Sequence, residues 1–455
     1  MRRPDFVPAL PPPAWVVLSG DFISAVGSGL TLPLLFIYAH RIRDLSYGTS
    51  GLVVAMIAVA SLIGNPLGGS MADRWSPRRT LMVGLVINAA GAVALALARN
   101  EAELFGATAI VGLGASIIWP AQDALLASLT GPAERSAVFS VRHACLNAGL
   151  GIGSLGAAIV ISVSQPGTFM AVYLADAASF LIYLPILARL RTPGSPVGES
   201  SGDGESPGEA EPESSGPGSG VDRGSPPLAS TAAGWRQVLR DSVLVRVWVL
   251  AAILMIVSFG QFNSSFQGFA ARPGGIGTHG LALAEAANCV TVVLAQLFVL
   301  KWLGGRRRTT GLALAAAAWA ISWALVAVAG HLGGGAALAG FILAAVVFSI
   351  GECLMAPTLP AIVNDIAPPG AAGRYNGSLA LAFTVGFLVG PATGGAALGA
   401  GLGVELFVVL AGICAAGAVG ALWLGRVVPA GANLVPKEER GEGESVLEVE
   451  SAPVG

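Results

Sequence analysis

Apolar stretches recur along nearly the whole 455-residue chain, at approximately 14–37, 49–72, 79–98, 104–128, 139–163, 168–188, 243–269, 281–300, 310–329, 335–359, 375–399 and 403–425. A bilayer core about 30 Å thick takes roughly 20 helical residues per crossing, and each stretch meets that length with a short polar turn on either side. Most are too long for strands, and their abundant Gly and Ala suit close helix contacts in lipid better than a water-exposed sheet. Only 11% of residues are charged, against about 25% for a soluble globular protein. One interfacial anchor on a soluble domain would account for one such stretch, not for twelve. The expected fold is therefore an all-α polytopic membrane protein with twelve transmembrane helices.

Residues 190–235 break the pattern with a run of Gly, Ser, Pro and Glu that buries too little apolar area to offset its ordering entropy. The expected organisation is a six-helix bundle over 1–189, a disordered linker over 190–235, a second six-helix bundle over 236–426 and a disordered acidic tail over 427–455. The N-terminal segment lacks a small-residue cleavage pattern and reads as a retained first helix. Alternating the twelve spans with the N-terminus inside puts 21 of the 25 Lys and Arg on the cytoplasmic side, the exceptions being Arg41, Arg43, Arg99 and Arg272. Both termini are accordingly expected in the cytoplasm of a cell whose plasma (inner) membrane the chain crosses.

The halves echo each other. Pro120 and Arg135 in the first correspond to Pro357 and Arg374 in the second at offsets of 237 and 239 residues, and each arginine precedes a glycine ladder. The ladders contain Gly149, Gly151, Gly153 and Gly156, and Gly386, Gly390, Pro391, Gly394 and Gly395. In lipid such small faces let helix backbones approach, so these positions are expected to pack helices. Similar halves around a central site are what a transporter needs to open alternately to each side.

The turn after the second span carries Gly68, Gly69, Asp73, Arg74, Arg78 and Arg79. This spacing resembles the signature between helices two and three of the major facilitator superfamily. The resemblance implies two six-helix bundles working by alternating access. It assigns Gly69 to a close helix approach and Asp73 to a conformational latch with Arg74, Arg78 and Arg79. The corresponding second-half turn, Lys301 to Arg308, has no aspartate, so an asymmetric latch is expected. Within the superfamily the chain looks most similar to bacterial drug/proton antiporters. Span eleven has their Gly-Pro pair at Gly390 and Pro391, whereas span five has no such proline and span four lacks their arginine.

Charge is costly in hydrocarbon, so each carboxylate inside a span is a functional candidate. Burial disfavours the ionised form of a carboxylate, which is the property a proton-coupling group requires. Glu352 and Asp176 lie nearest the middle of their spans, and Asp21, Asp123 and Glu285 lie nearer the ends. Asn147, Gln261, Asn263, Phe266, Gln267, Asn288 and Asn376 are cavity candidates, because amides and aromatic rings together suit an amphipathic substrate. Each of these can equally join helices.

A net charge of −2 gives no field that would attract nucleic acid. Gly151, Gly153 and Gly156 fit a dinucleotide-binding pattern but lie inside an apolar helix rather than a strand-to-helix turn. No phosphate-binding P-loop, metal-ligand spacing, cofactor motif or catalytic constellation appears. The expected function is secondary transport, with a lipid bilayer, a small-molecule substrate and protons as partners and a monomer as the working unit. Resemblance favours proton-coupled efflux of small amphipathic molecules over import or uniport, and a transporter over a membrane receptor or structural protein.

Overall fold

A computed structural model describes residues 8–31, 35, 38–161, 165–190, 229–271 and 275–436. Most of the expected linker (191–228), the tail from 437 onward and Arg272 lie outside the described residues. The first half contains α1 (Pro12–Thr31), which is followed by a π-helical turn at Tyr38–Ile42, then α2 (Tyr47–Arg74), α3 (Pro77–Leu97), α4 (Glu101–Leu129), α5 (Arg135–Val160) and α6 (Pro166–Ala188). A short amphipathic helix, α7 (Ala229–Arg240), leads into the second half. There α8 starts at Ser242–Val257, and the chain continues through α9 (Gly277–Leu303), α10 (Arg308–Ala329), α11 (Gly334–Met355), α12 (Leu359–Ile366), α13 (Ala372–Gly399) and α14 (Gly403–Leu424). α12 prolongs α11 after a three-residue turn.

Eleven of the described helical segments are long and apolar enough to cross a membrane. The remaining long helix, α5, carries Arg135, Arg142, His143 and Asn147 and is less apolar for that reason. The breaks between helices are written in capping residues. Ser46, Ser76, Asn100 and Asp241 each accept a bond from a backbone N–H in the first turn of α2, α3, α4 and α8, satisfying donors that no intrahelical carbonyl can reach.

The halves pack by one plan. In the first, α1 meets α5 and α6, α4 meets α2 and α3, and α3 meets α6; in the second, α8 meets α13 and α14, α11 meets α9 and α10, and α10 meets α14. Between halves, α2 lies on α13 and α5 on α9, which is the same pairing with the halves exchanged.

Backbone contact inside each half depends on particular glycines. A methyl group at Gly149 would lie 2.7 Å from Ala25 Cβ, and one at Gly153 only 2.1 Å from Val26 O. At Gly390 it would meet Gly260 Cα at 2.6 Å, at Gly386 Met255 Cβ at 2.6 Å, and at Gly394 Ser265 Oγ at 1.7 Å. Gly151 and Gly395 depart from the sequence expectation: they point into open space, and Gly156 has only an ordinary 3.4 Å neighbour in Leu30. Helical periodicity explains the split, since residues 149 and 153 share a helix face that residue 151 does not. Pro391 sits inside α13 without ending it.

Two segments are more structured than the sequence implied. Helix α7 begins inside the expected linker, and beyond α14 the chain forms a 3₁₀ turn at Ala430–Asn433 with an antiparallel bridge from Leu434 to Arg307.

Gly153→Ala is expected to cost about 1–3 kcal/mol by overpacking and to lower the melting temperature in detergent by several degrees. Gly151→Ala is expected to leave it unchanged or raise it, alanine being the better helix former.

Candidate functional site: inter-bundle latches and buried carboxylates

Polar contacts between the halves gather at one end of the bundle, the face bearing the turns around residues 75, 132, 305 and 369. Asp73, at the end of α2, reaches the first turn of α13. It accepts bonds from Gly373 N (2.6 Å), Arg374 N (3.0 Å) and Arg374 Nε (2.6 Å). A carboxylate that caps the positive end of a helix while pairing a guanidinium is doubly stabilised. Gly69 allows this approach, because a methyl group there would sit 2.5 Å from Gly373 O. Asp73 and Gly69, which the resemblance tied to a latch and a close helix approach, both lie at this contact between the halves, where the described guanidinium partner of Asp73 is Arg374. Arg78 instead donates to Ala188 O (2.6 Å) and Arg79 is exposed, with its backbone N–H on Ser76. The arginine that pairs with Asp73 comes from the other half because the signature aspartate points across the bundle interface.

A second latch lies beside it. Asp365, just past the main body of α11, pairs with Arg135 of α5 through one oxygen and with Arg308 of α10 through the other. Arg308 also donates to Ser136 Oγ (3.2 Å) and Pro132 O (3.4 Å) of the first half. In the second half the carboxylate thus comes from Asp365, and Arg308, the first residue of α10, is one of its two cations. Further along the seam Asn65 donates to Thr384 (2.7 Å), Gln296 to Ser140 (3.2 Å) and Trp235 of α7 to Ser70 (2.8 Å). Arg135 and Arg374, matched by the internal echo, therefore each reach a carboxylate of the opposite half.

Within the first half, about 10 Å in from this face by helix rise, Arg142 sits between Asp21 of α1 and Asp123 of α4. It pairs with both, at 3.3 Å from Asp21 Oδ2, and its guanidinium lies 4.9 Å from the Trp119 ring. All three charged residues are buried. Asp21 and Asp123 are thus interior groups rather than interfacial ones. Their partner went unrecognised because Arg142 lies only four residues into an apolar run, where it reads as an end-of-helix charge. The usable signal was two lone aspartates in other spans that required a cation.

The remaining carboxylates have a different environment. Glu352 of α11, near mid-depth, accepts from Asn288 Nδ2 of α9 (3.1 Å), and one turn away Glu285 accepts from Gln267 Nε2 (3.1 Å). Asp176 of α6 accepts from Thr31 Oγ1 (2.8 Å) on one oxygen, and its other oxygen has no partner. The described ion pairs include none of these three groups. Asn288 and Gln267 therefore orient carboxylates.

Several other cavity candidates serve the scaffold. Gln261 donates to Gly390 O (2.9 Å) and accepts from Ser265 (2.6 Å), and Asn376 and Asn364 exchange bonds. Phe266 is fully buried and stacks on Phe262 at 4.8 Å. Asn147 bonds back to His143 O (3.0 Å), and exposed Asn263 to Phe259 O (3.0 Å). The cause in α8 is a break at Ser258 followed by a π-helical turn at Phe262–Phe266. The break turns the polar face of this helix onto α13, and Trp323 Nε1 fills the freed Val257 carbonyl (2.7 Å). An irregular helix survives in lipid only with such replacement partners.

Two related six-helix halves joined by charge latches at one face define a multi-pass membrane transporter. The sequence description of the Major Facilitator Superfamily matches residues 17–335 and 275–453, and the chain belongs to that superfamily. It is similar to the Bacillus subtilis MFS-type transporter YttB, with 25% identity over 383 residues that cover 82% of this chain and 84% of YttB. A shorter stretch of 181 residues is 25% identical to the Staphylococcus aureus quinolone resistance protein NorA, covering 39% of this chain and 45% of NorA. Among solved structures, the Escherichia coli fucose:proton symporter shares the fold with a TM-score of 0.67 at 15% identity, over 90% of this chain and 98% of the symporter. Among the described residues there is no group of three or more His, Cys, Asp or Glu able to hold a metal ion, and membership of the superfamily makes this chain a membrane transport protein.

Arg142→Met leaves two buried carboxylates without their cation and is expected to cost about 3–5 kcal/mol. The yield of monodisperse protein should collapse, and adding Asp21→Asn and Asp123→Asn to the same chain should recover it.

Proposed function

We propose that this transporter exports small amphipathic molecules, cations among them, from a bacterial cell by alternating access driven by proton entry. The observation that carries the reading is Glu352, a buried carboxylate near mid-depth whose described partner is an amide and not a cation. A carboxylate in hydrocarbon must be neutralised, either by a proton or by a positively charged cargo. The two cannot occupy it together. Proton binding then displaces a cationic substrate, and substrate binding displaces the proton, which is the exchange an antiporter performs. Glu285 nearby raises the cost of ionising both groups at once. In the first half Arg142 offsets one of the two charges of Asp21 and Asp123, whereas no described cation pairs with Glu352 or Glu285; we take the second half as the seat of coupling and Asp176 as a subsidiary proton site.

Orientation follows from the basic residues: the face with both latches carries the positive turns and is the cytoplasmic one. With those latches engaged, the arrangement corresponds to a state closed to the cytoplasm. Breaking Asp73–Arg374 and Arg135–Asp365–Arg308 while each half keeps its internal packing opens the other state. Likeness to NorA, a quinolone resistance protein, supports export, and the fold shared with a fucose:proton symporter is consistent with coupling to protons.

Proteoliposomes with an imposed pH gradient and a panel of lipophilic cations and neutral amphipaths test the reading. Proton movement coupled to substrate in the export direction is expected, and Glu352→Gln is expected to cut proton-driven transport at least tenfold while equilibrium binding of neutral compounds persists. Full proton-driven transport by Glu352→Gln would remove Glu352 from this role, and gradient-independent transport would remove the antiport reading altogether.

A further inference from the structure

We infer that the segment following the last membrane helix is a brace for the second latch and that Asn433 is its positioning residue. The brace is continuous with the bundle. From the 3₁₀ turn at Ala430–Asn433 the chain runs antiparallel to the α9–α10 turn, with Gly305 N donating to Val435 O (2.7 Å) and Val435 N donating to Arg306 O (2.9 Å). Ala432, Asn433 and Val435 are buried there although they lie beyond the membrane helices.

Its two decisive contacts fall on consecutive residues of α10. Asn433 Oδ1 accepts from Thr309 N (2.9 Å), which caps a helix whose own N-cap residue, Arg307, makes no side-chain cap. The Ala432 carbonyl accepts from Arg308 Nη1 (3.0 Å). Arg308 is fully buried, and its guanidinium spans both halves: Asp365 and Ala432 O in its own, Ser136 Oγ and Pro132 O in the other.

Here two guanidinium groups share one carboxylate, so the Arg135–Asp365–Arg308 cluster carries an excess positive charge and its cations repel. Neutral oxygen acceptors around Arg308 must offset that repulsion. Ala432 O is one of them: it accepts from Nη1, while Nε and Nη2 reach Ser136 and Pro132 of the first half. It therefore keeps the guanidinium turned toward Pro132 and Ser136, and Asn433 fixes where that carbonyl stands. Arg374 in the other latch bonds Gly370 O of its own turn, and its described contacts include none from this segment. The C-terminal segment thus sets how firmly one of the two latches closes.

The inference rests on alternating access at this face but not on proton coupling, substrate or direction. Its test is the full-length chain with its four native cysteines replaced, spin labels at the exposed residues Arg79 and Arg426 on opposite halves of this face, and pulsed dipolar distance measurement in nanodiscs. Unsubstituted chain should show a short, closed distance and a long, open one. Asn433→Ala should lower the closed-to-open ratio at least threefold, and Asn433→Asp, which keeps an acceptor for Thr309 N, should restore it. Val435→Pro removes the N–H given to Arg306 O while leaving Asn433 in place and should shift the ratio in the same direction, which supplies a second reading should Asn433→Ala fold poorly. An unchanged ratio in either folded variant would overturn the inference while leaving alternating access intact. A single distance in the unsubstituted chain under all conditions would overturn both.

Discussion

An ionised side chain in hydrocarbon has three ways to persist: a counter-ion, a proton, or a position at the membrane face. The structure shows the first and the third, and leaves a further group of carboxylates without a described counter-ion. Asp21 and Asp123 share Arg142 in the interior of the first half. Asp73 and Asp365 sit at one face and pair with arginines across the seam. Glu352 and Glu285 are held by amides, which orient a carboxylate without cancelling its charge. The distribution is unequal: the first half carries a cluster in which one arginine meets two aspartates, and the second carries carboxylates that no described cation meets.

The contacts within a half and those between halves differ in balance, although Gly69 and Gly373 also bring backbones together across the seam. Inside each half, glycines bring helix backbones together, as at Gly153 against Val26 O and Gly390 against Gly260, and aromatic rings such as Trp319, Trp323, Phe348 and Phe407 fill the remaining space. Dispersion contacts of that density are lost together or not at all. Between the halves the latches consist of a few charged and polar groups at one face. Such ion pairs are local and few, and under the proposed alternating access the seam they close is where movement would occur. Large exposed apolar residues such as Leu155, Ile159 and Leu294 complete the arrangement by facing lipid instead of the partner half.

About a dozen membrane spans were legible in the sequence, and the polar break among them and the aspartate of the turn after span two also stand out there, because length, hydropathy and motif spacing are local properties. The carboxylates were legible too, since an Asp or Glu inside an apolar run is conspicuous wherever it points. Their partners were not. Arg142 was hidden by its nearness to a helix end, Arg308 by a cluster of topogenic arginines, and Asp365 by lying beyond the apparent end of its span. Gln261 and Phe266 looked like cavity groups until the irregular turn in α8 rotated one onto α13 and the other into the core.

Sequence alone thus determined the solvent of this chain, its helices and the inventory of charges that need an explanation, because each of those follows from the cost of placing a given residue in lipid. Tertiary structure alone decided which charge answers which. Arg374 rather than Arg78 meets Asp73, Arg142 joins residues from three helices, and a segment past the last helix reaches Arg308. Pairing depends on helix rotation and crossing, and those are fixed by packing between residues more than a hundred positions apart.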